Sequence, residues 1–280
     1  MRVVVLAYHS QNVSGHQYAS NDHIALAADL AEIQRRALPL ISLHQVAQAL
    51  LSKNFSALPP IAVALSCDDG TLLDWEDFEH PDYGRQSSFD SIVTAHLRIT
   101  GESPENMLTA FVIASKEARR AIDIGCYGGI PLSNDRWWRE AAISRRVAIE
   151  NHSWDHVHAC VPVVAQQTQI KSDFRAVATL NDADRQIRQA ADFIDRALTG
   201  TDHFTSLFAY PYGHVNDYLA KEYLPHHVEE HRVQAAFTTV PEMLTHDSDR
   251  YQLPRFVCGE AWNTPEEFSR ILDELERHHH

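Results

Sequence analysis

Two histidines four residues apart, His152 and His156, and two adjacent carboxylates, Asp68 and Asp69, are the residues of this 280-residue chain best suited to chemistry. In a helical turn, i, i+4 spacing puts two imidazoles on one face, close enough to share a metal ion. An oxygen ligand would complete the set, and Asp68-Asp69-Gly70 offers one. Adjacent acids repel unless one is neutralised; a divalent cation neutralises the one that binds it and leaves the other free as a base. A His, His, Asp set with open positions for water and substrate is the arrangement of a catalytic metal. Singly, each piece is weak, since such a His pair is often a surface feature and Asp-Asp-Gly is often a turn.

These groups need elements that bring them together. Val3 to Ala7 is a continuous apolar run, the pattern of a strand buried on both faces of a parallel sheet. Asn21 offers an N-cap to a helix over Ile24 to Ile33, and a second helix is expected over Leu43 to Leu51. The run Ile61 to Leu65 predicts a strand ending at Ser66-Cys67-Asp68-Asp69-Gly70. Further strands are expected at Thr109 to Ala114, Val147 to Glu150, Ser206 to Tyr210, Ala235 to Thr239 and Leu253 to Phe256. Helices are expected at Phe89 to Leu97, Trp137 to Ile143, Asp182 to Leu198, Asp217 to Arg232 and Pro265 to Leu275. Alternating strands and helices indicate an α/β fold of parallel βα units, and about seven strands favour a closed barrel over a flat sheet. One domain is expected over residues 1–277, with His278-His279-His280 in the form of a tag remnant. Leu73 to Ser88 and Gly125 to Asp135 read as irregular segments, either walls of a cleft or solvated decoration.

In a parallel barrel, catalytic groups sit at the carboxyl ends of strands. Four expected strands end in capable residues: Tyr8-His9, Asp68-Asp69-Gly70, Asn151 to His156, and Tyr210-Pro211-Tyr212-Gly213. Composition narrows the partners. With 24 Lys+Arg against 38 Asp+Glu the net charge is 24 − 38 = −14, so a nucleic-acid partner is not expected. No run approaches the eighteen or so apolar residues of a membrane span. No secretory signal opens the sequence, so a cytoplasmic protein is expected unless a native leader was removed. The four cysteines are scattered with no Cys-x-x-Cys pair, and free thiols are expected.

The segment Ser66-Cys67-Asp68-Asp69-Gly70 resembles the Thr/Ser-Phe-Asp-Asp-Gly motif of the polysaccharide deacetylases, carbohydrate esterases of family four. His152-Ser153-Trp154-Asp155-His156 fits their His-Ser/Thr-x-x-His motif, and Phe208-Ala209-Tyr210-Pro211-Tyr212-Gly213 resembles Arg-x-Pro-Tyr-Gly. The resemblance implies a distorted (β/α) barrel of about seven strands and a divalent metal, zinc in the first place, with Co2+, Ni2+ or Mn2+ as alternatives. It assigns Asp69, His152 and His156 to the metal, Asp68 as general base and the Tyr212 backbone N–H to an oxyanion hole, with Pro211 and Tyr212 facing substrate.

Three features depart from the family pattern. Its Leu-x-x-His motif, which supplies a general acid near the C-terminus, is absent there. Leu6-Ala7-Tyr8-His9 carries it at the start instead, as in the circularly permuted branch that includes poly-N-acetylglucosamine deacetylases, so His9 is expected to be the acid. Ala209 stands where an arginine usually orients the base; Arg255 is expected to supply that charge to Asp68, the alternative being a surface ion pair. Cys67 replaces the usual Phe as a buried small thiol.

The implied activity is hydrolytic removal of acetyl groups from N-acetylated sugars; separately, aromatic side chains, Trp137 and Trp138 among them, are expected either to stack on sugar faces or to fill core. The alternatives are hydrolysis of a small non-sugar C–N amide and a carbohydrate-binding protein that retains the fold without turnover.

Overall fold

In the computed structural model, which describes residues 1–101, 105–162 and 170–277, the apolar run at the start becomes strand β1 (Arg2–Tyr8), with Val3 to Tyr8 fully buried. Beside it lies β2 (Ile61–Cys67) in parallel register, Val4 opposite Val63 and Tyr8 opposite Cys67. The sheet continues through β3 (Leu108–Val112), β4 (Val147–Asn151), β5 (Leu207–Ala209) and β6 (Ala235–Phe237). On the other side of β1 sits β7 (Phe256–Val257), the last parallel strand of the chain. These seven parallel strands curl into a distorted (β/α) barrel; a short antiparallel strand, Leu244–Thr245, also pairs with β1. The expected tag remnant, residues 278–280, lies outside the described residues.

Closure depends on one short segment. Leu253 bridges to Phe237 of β6, and three residues later Phe256 and Val257 pair with Leu6 and Ala7 of β1. First and last strands are therefore neighbours, so the chain can begin at β1 and still complete the rim on which the site stands. Inward-facing Val3, Val5, Ala62, Ala64, Phe111, Ala209 and Phe237 form one core layer, on which helix α2 (Leu43–Ser52) packs Leu43, Val46 and Ala47. Outward-facing Val4, Leu6, Val63, Leu65 and Ile149 pack instead on α1 (Asp22–Arg35), α3 (Phe89–Thr100) and their neighbours. The Asn21 cap is present, its side chain accepting from the His23 and Ile24 N–H groups.

Several expectations change. Helix α4 (Lys116–Cys126) occupies a stretch left unassigned, because only Ala118 and Ile122 give it an apolar stripe. It takes in Gly125 and Cys126, expected to be irregular. Helix α5 (Trp138–Ser144) follows expectation. Within Leu73 to Ser88 a hairpin forms, Phe78–His80 against Gly84–Gln86. The long helix α6 (180–197) is π-wound at Asp184–Arg188. The segment expected as one helix over Asp217 to Arg232 is π-wound at Tyr218–Tyr223 and interrupted at His227 (φ −119°), close to Pro225, which lacks the N–H a continuous helix needs. The final helix, α7 (Pro265–Arg277), forms as expected. Among the described residues no helix is long and apolar enough to cross a membrane.

A buried carboxylate stitches β4 to its surroundings. Glu150 accepts from the Ser206 and Leu207 N–H groups (2.8 and 2.7 Å) and meets His44 Nε2 at 2.8 Å and His203 Nε2 at 3.3 Å. Burial alone would raise its carboxyl, but hydrogen bonds from His203 and then His44 bring it down to about 2. Burial likewise opposes charge on His203, and Glu150 reverses it, raising that imidazole above its ordinary value. The Glu150 contribution is present above the ordinary 4.5 and lost as pH falls towards 2, whereas the His203 contribution is complete below 6.5 and lost at higher pH. Glu150→Gln should therefore cost most, on the order of 2 kcal/mol, between about pH 4.5 and 6.5. Urea midpoints of both proteins at pH 3, 5.5 and 8.5 check this (values bracketing that window, roughly); an equal gap at all three pH values would contradict it.

Candidate active site

The polar residues gather where the strands end. Asp68 and Asp69 follow β2, His152 follows β4, Tyr212 follows β5, and His9 follows β1. His9, Asp68, Asp69, His152, His156 and Tyr212 line one cleft of about 410 Å³, with His158, Gly213, His214, Thr239, Val257 and Glu260 around them.

Arg255, just ahead of β7, reaches across to Asp68. Its two terminal nitrogens donate to the two carboxylate oxygens, 2.7 Å each, while Nε donates to the Thr238 carbonyl and Nη1 also to Ser66 Oγ. The arginine is 0% exposed, so the surface ion pair is excluded. It falls inside the strand expected over Leu253 to Phe256 but just ahead of the strand that forms, because the segment bridges to β6 at Leu253 and pairs with β1 only from Phe256. Burial alone would raise the Asp68 carboxyl; the Arg255 charge, with a smaller contribution from His152, overrides this and holds Asp68 well below its usual range. Ala209, at the position of the usual arginine, contributes only its carbonyl, which accepts from His152 Nδ1 at 2.8 Å.

That last bond fixes a tautomer. A carbonyl can only accept, so Nδ1 carries the proton and Nε2 keeps its lone pair for a ligand. His152 Nε2 and His156 Nε2 lie 3.8 and 3.5 Å from Asp69 Oδ1, near the separation of about 3.3 Å expected for atoms around one tetrahedral ion with bonds near 2.0 Å. Burial is the main reason His156 is pushed down to about 3, so that imidazole stays neutral. The Asp69 carboxyl, raised by burial alone, ends below its usual range because of His156, His9 and His152. The donor set fits a divalent cation.

The two imidazoles meet, with ring centroids 4.8 Å apart, but not through a helical turn as expected. Residues 152–157 form a loop in which Ser153, His156 and Val157 have positive φ (75°, 61° and 50°). Side chains given no such role from the sequence hold it. Asn151 accepts from Ser153 N–H and donates to the Ile187 carbonyl; Asp155 accepts from Val157 N–H and from Gln186 Nε2. Gln186 and Ile187 lie in the π-wound turn of α6, and the sequence signal for it is a glutamine that belongs to the buried face of that helix. Gln11, also unforeseen, donates to Asp69 Oδ2.

Two left-handed turns set the cleft floor. Asp69 and Gly70 have φ of 74° and 70°, and a Cβ on Gly70 would come within 2.5 Å of Val112 Cγ1. At Tyr212-Gly213, φ is 58° and 65°, and a Cβ on Gly213 would lie 2.0 Å from Thr239 Oγ1. Gly213→Ala should cost about 1–3 kcal/mol and lower Tm by several degrees; an unchanged melting curve would show that this turn yields easily. Tyr212 stands over His156, ring centroids 4.4 Å apart, while Pro211 is buried beneath the turn and does not line the cleft.

The tryptophan expectation is corrected. Trp137 and Trp138 are 1% and 0% exposed and belong to the outer core layer, Trp138 beneath the Arg119 guanidinium at 4.7 Å. Enclosed this way, neither can stack on a substrate. Cys67 is a buried thiol, as expected.

Among the described residues, two other groups could hold an ion by proximity, His44–Glu150–His203 and Cys126–His158–Cys160. In the first, His203 Nε2 also meets the Ile149 carbonyl at 2.7 Å, which needs its proton there and leaves no lone pair for an ion, while Glu150 Oε2 is taken by the Ser206 and Leu207 N–H groups.

Residues 105–230 match the family model of the polysaccharide deacetylases. No curated protein matches the sequence. Similar solved structures include IcaB from Ammonifex degensii, at 18% identity and TM-score 0.62, covering 98% of this chain and 97% of that one. A Streptococcus pyogenes deacetylase, PplD, in complex with acetate, follows at 16% and 0.61, covering 97% and 98%. A de-N-acetylase from Aggregatibacter actinomycetemcomitans stands at 17% and 0.59, covering 96% and 100%. At such identities the likeness concerns the fold, which these proteins share over nearly their whole length. The stretch matched by the family model, residues 105–230, includes the His152–His156 and Tyr210–Gly213 motifs at two strand ends, so that part of the chain is similar to the polysaccharide deacetylases.

Proposed function

We propose that the protein is a metal-dependent hydrolase that removes acetyl groups from an N-acetylated sugar, with Asp69, His152 and His156 holding the metal. The observation that carries this reading is the buried Arg255–Asp68 pair beside the Asp69, His152 and His156 cluster. When bound there, a divalent cation polarises the acetyl carbonyl and acidifies the attacking water. Asp68, kept ionised and fixed in plane by Arg255, takes the proton of that water. The Tyr212 N–H donates to the oxyanion that forms on the carbonyl. His9, across the cleft, gives a proton to the departing amine, without which nitrogen leaves poorly. Its backbone N–H is tied to Asp22 Oδ2 at 2.8 Å, which fixes where β1 delivers it.

The test is acetate release from N-acetylglucosamine oligomers by protein stripped with a chelator and then reloaded with zinc, cobalt, nickel or manganese. Activity should vanish on stripping and return on reloading. His152→Ala should bind less metal and release no acetate. Acetate release that survives complete metal removal would refute the reading, and turnover of a non-sugar amide alone would move the substrate to the amidohydrolase alternative.

A further inference from the structure

Beside the site, the fold brings two of the four cysteines together. Cys126, exposed at the end of α4, and Cys160, in the loop that follows the expected ligand His156, have their Sγ atoms 3.7 Å apart across 34 residues of sequence. A disulfide bond of about 2.05 Å would need the two sulfurs to close by ~1.7 Å, within reach of small side-chain rotations. The packing around them makes room for that approach. Gly125 faces Cys160, and a Cβ there would fall 2.5 Å from its Sγ and 3.1 Å from its Cβ, so a larger residue would turn the Cys160 side chain away from its present position. His158 turns the corner between them, its Nδ1 accepting from the Cys160 N–H at 3.1 Å. That bond places the neutral ring's proton on Nε2, leaving no lone pair free, and so argues against His158 joining the two sulfurs around a metal.

We propose that Cys126 and Cys160 form a reversible disulfide site that latches the loop carrying His156 onto the end of α4. The oxidant is a small-molecule disulfide, RSSR. Exposed Cys126, as thiolate, attacks one sulfur and expels RS⁻; Cys160 then attacks the Cys126 sulfur of the mixed disulfide and expels the second RS⁻. Two protein thiols lose two electrons and two protons, and RSSR becomes two RSH. Burial first, then the neighbouring Cys160, pushes the Cys126 thiol up to about 11, so closure is slow at neutral pH and quickens as pH rises. This latch does not depend on the hydrolase reading.

The experiment treats the full chain with oxidised glutathione at alkaline pH and then measures intact mass, non-reducing peptide maps and melting. The expected result is loss of two hydrogens, a linked pair of peptides containing Cys126 and Cys160, and a Tm rise on the order of 5 °C that a reductant reverses. Cys126→Ser and Cys160→Ser should each abolish the link. Gly125→Ala, which retains all four thiols, should slow closure with unchanged circular dichroism. A stable glutathione adduct that never resolves, a link between two chains, or one equivalent of zinc lost with Cys126→Ser would each overturn the proposal.

Discussion

Asp68→Asn should lower acetate release by roughly 10²–10⁴-fold while leaving the metal in place. The reason lies in the division of labour between the two adjacent acids. Asp69 lies within 3.8 Å of both imidazole nitrogens, whereas Asp68 spends both oxygens on Arg255. An asparagine keeps the shape but cannot take a proton from water. It also turns an amide NH2 towards a guanidinium N–H, so some stability is lost as well. Turnover should therefore be measured at a temperature where circular dichroism shows the variant folded, with metal content determined on the same sample. Near wild-type turnover in folded, metal-loaded protein would remove Asp68 from the role of base.

Arg255→Met should be the most destabilising single change at the site, costing about 3–5 kcal/mol, or on the order of 10 °C in Tm. Its cost is that of a buried carboxylate left without its counter-charge, on top of two lost charge-assisted hydrogen bonds. Burial already tends to raise Asp68, and Arg255 is what reverses that tendency. Without it the carboxyl rises, so the acid limb of the kcat/KM profile should move to higher pH in whatever fraction remains folded. Arg255→Lys, with charge but no fork, should fall between the two proteins. If Arg255→Met melted like wild type and kept the same acid limb, the arginine would be a spectator.

Much of this site was legible because a parallel sheet has a simple grammar. A buried strand announces itself as an apolar run, and the polar residue that ends the run marks the carboxyl edge where side chains converge. His9, Asp68, Asp69, His152 and Tyr212 were all found by that rule. Arg255 was found differently, through the resemblance to the deacetylase motif, whose usual arginine is replaced here by Ala209. The rule fails where local pattern and tertiary contact part company. Trp137 and Trp138 carry the same aromatic signal whether they face a sugar or a core, and only packing places them against the sheet. The His152 and His156 spacing did bring the two imidazoles together but was wrong about the backbone, because hydrogen bonds from Asn151, Asp155 and Gln186 shape a loop there instead of a helical turn.

By itself, then, the sequence determined the α/β class, the approximate places of the parallel strands and the residue types at their ends, since apolar runs and capping residues are patterns of neighbours along the chain. The tertiary structure alone decided which of those ends meet. Arg255 reaches Asp68 only because the 253–257 segment runs from β6 to β1 and closes the barrel, and Cys126 meets Cys160 because the loop after β4 lies against the end of α4 beside Gly125. Both contacts join residues far apart in the chain, and their geometry is fixed by how the sheet curls and how layers pack, which no local pattern records.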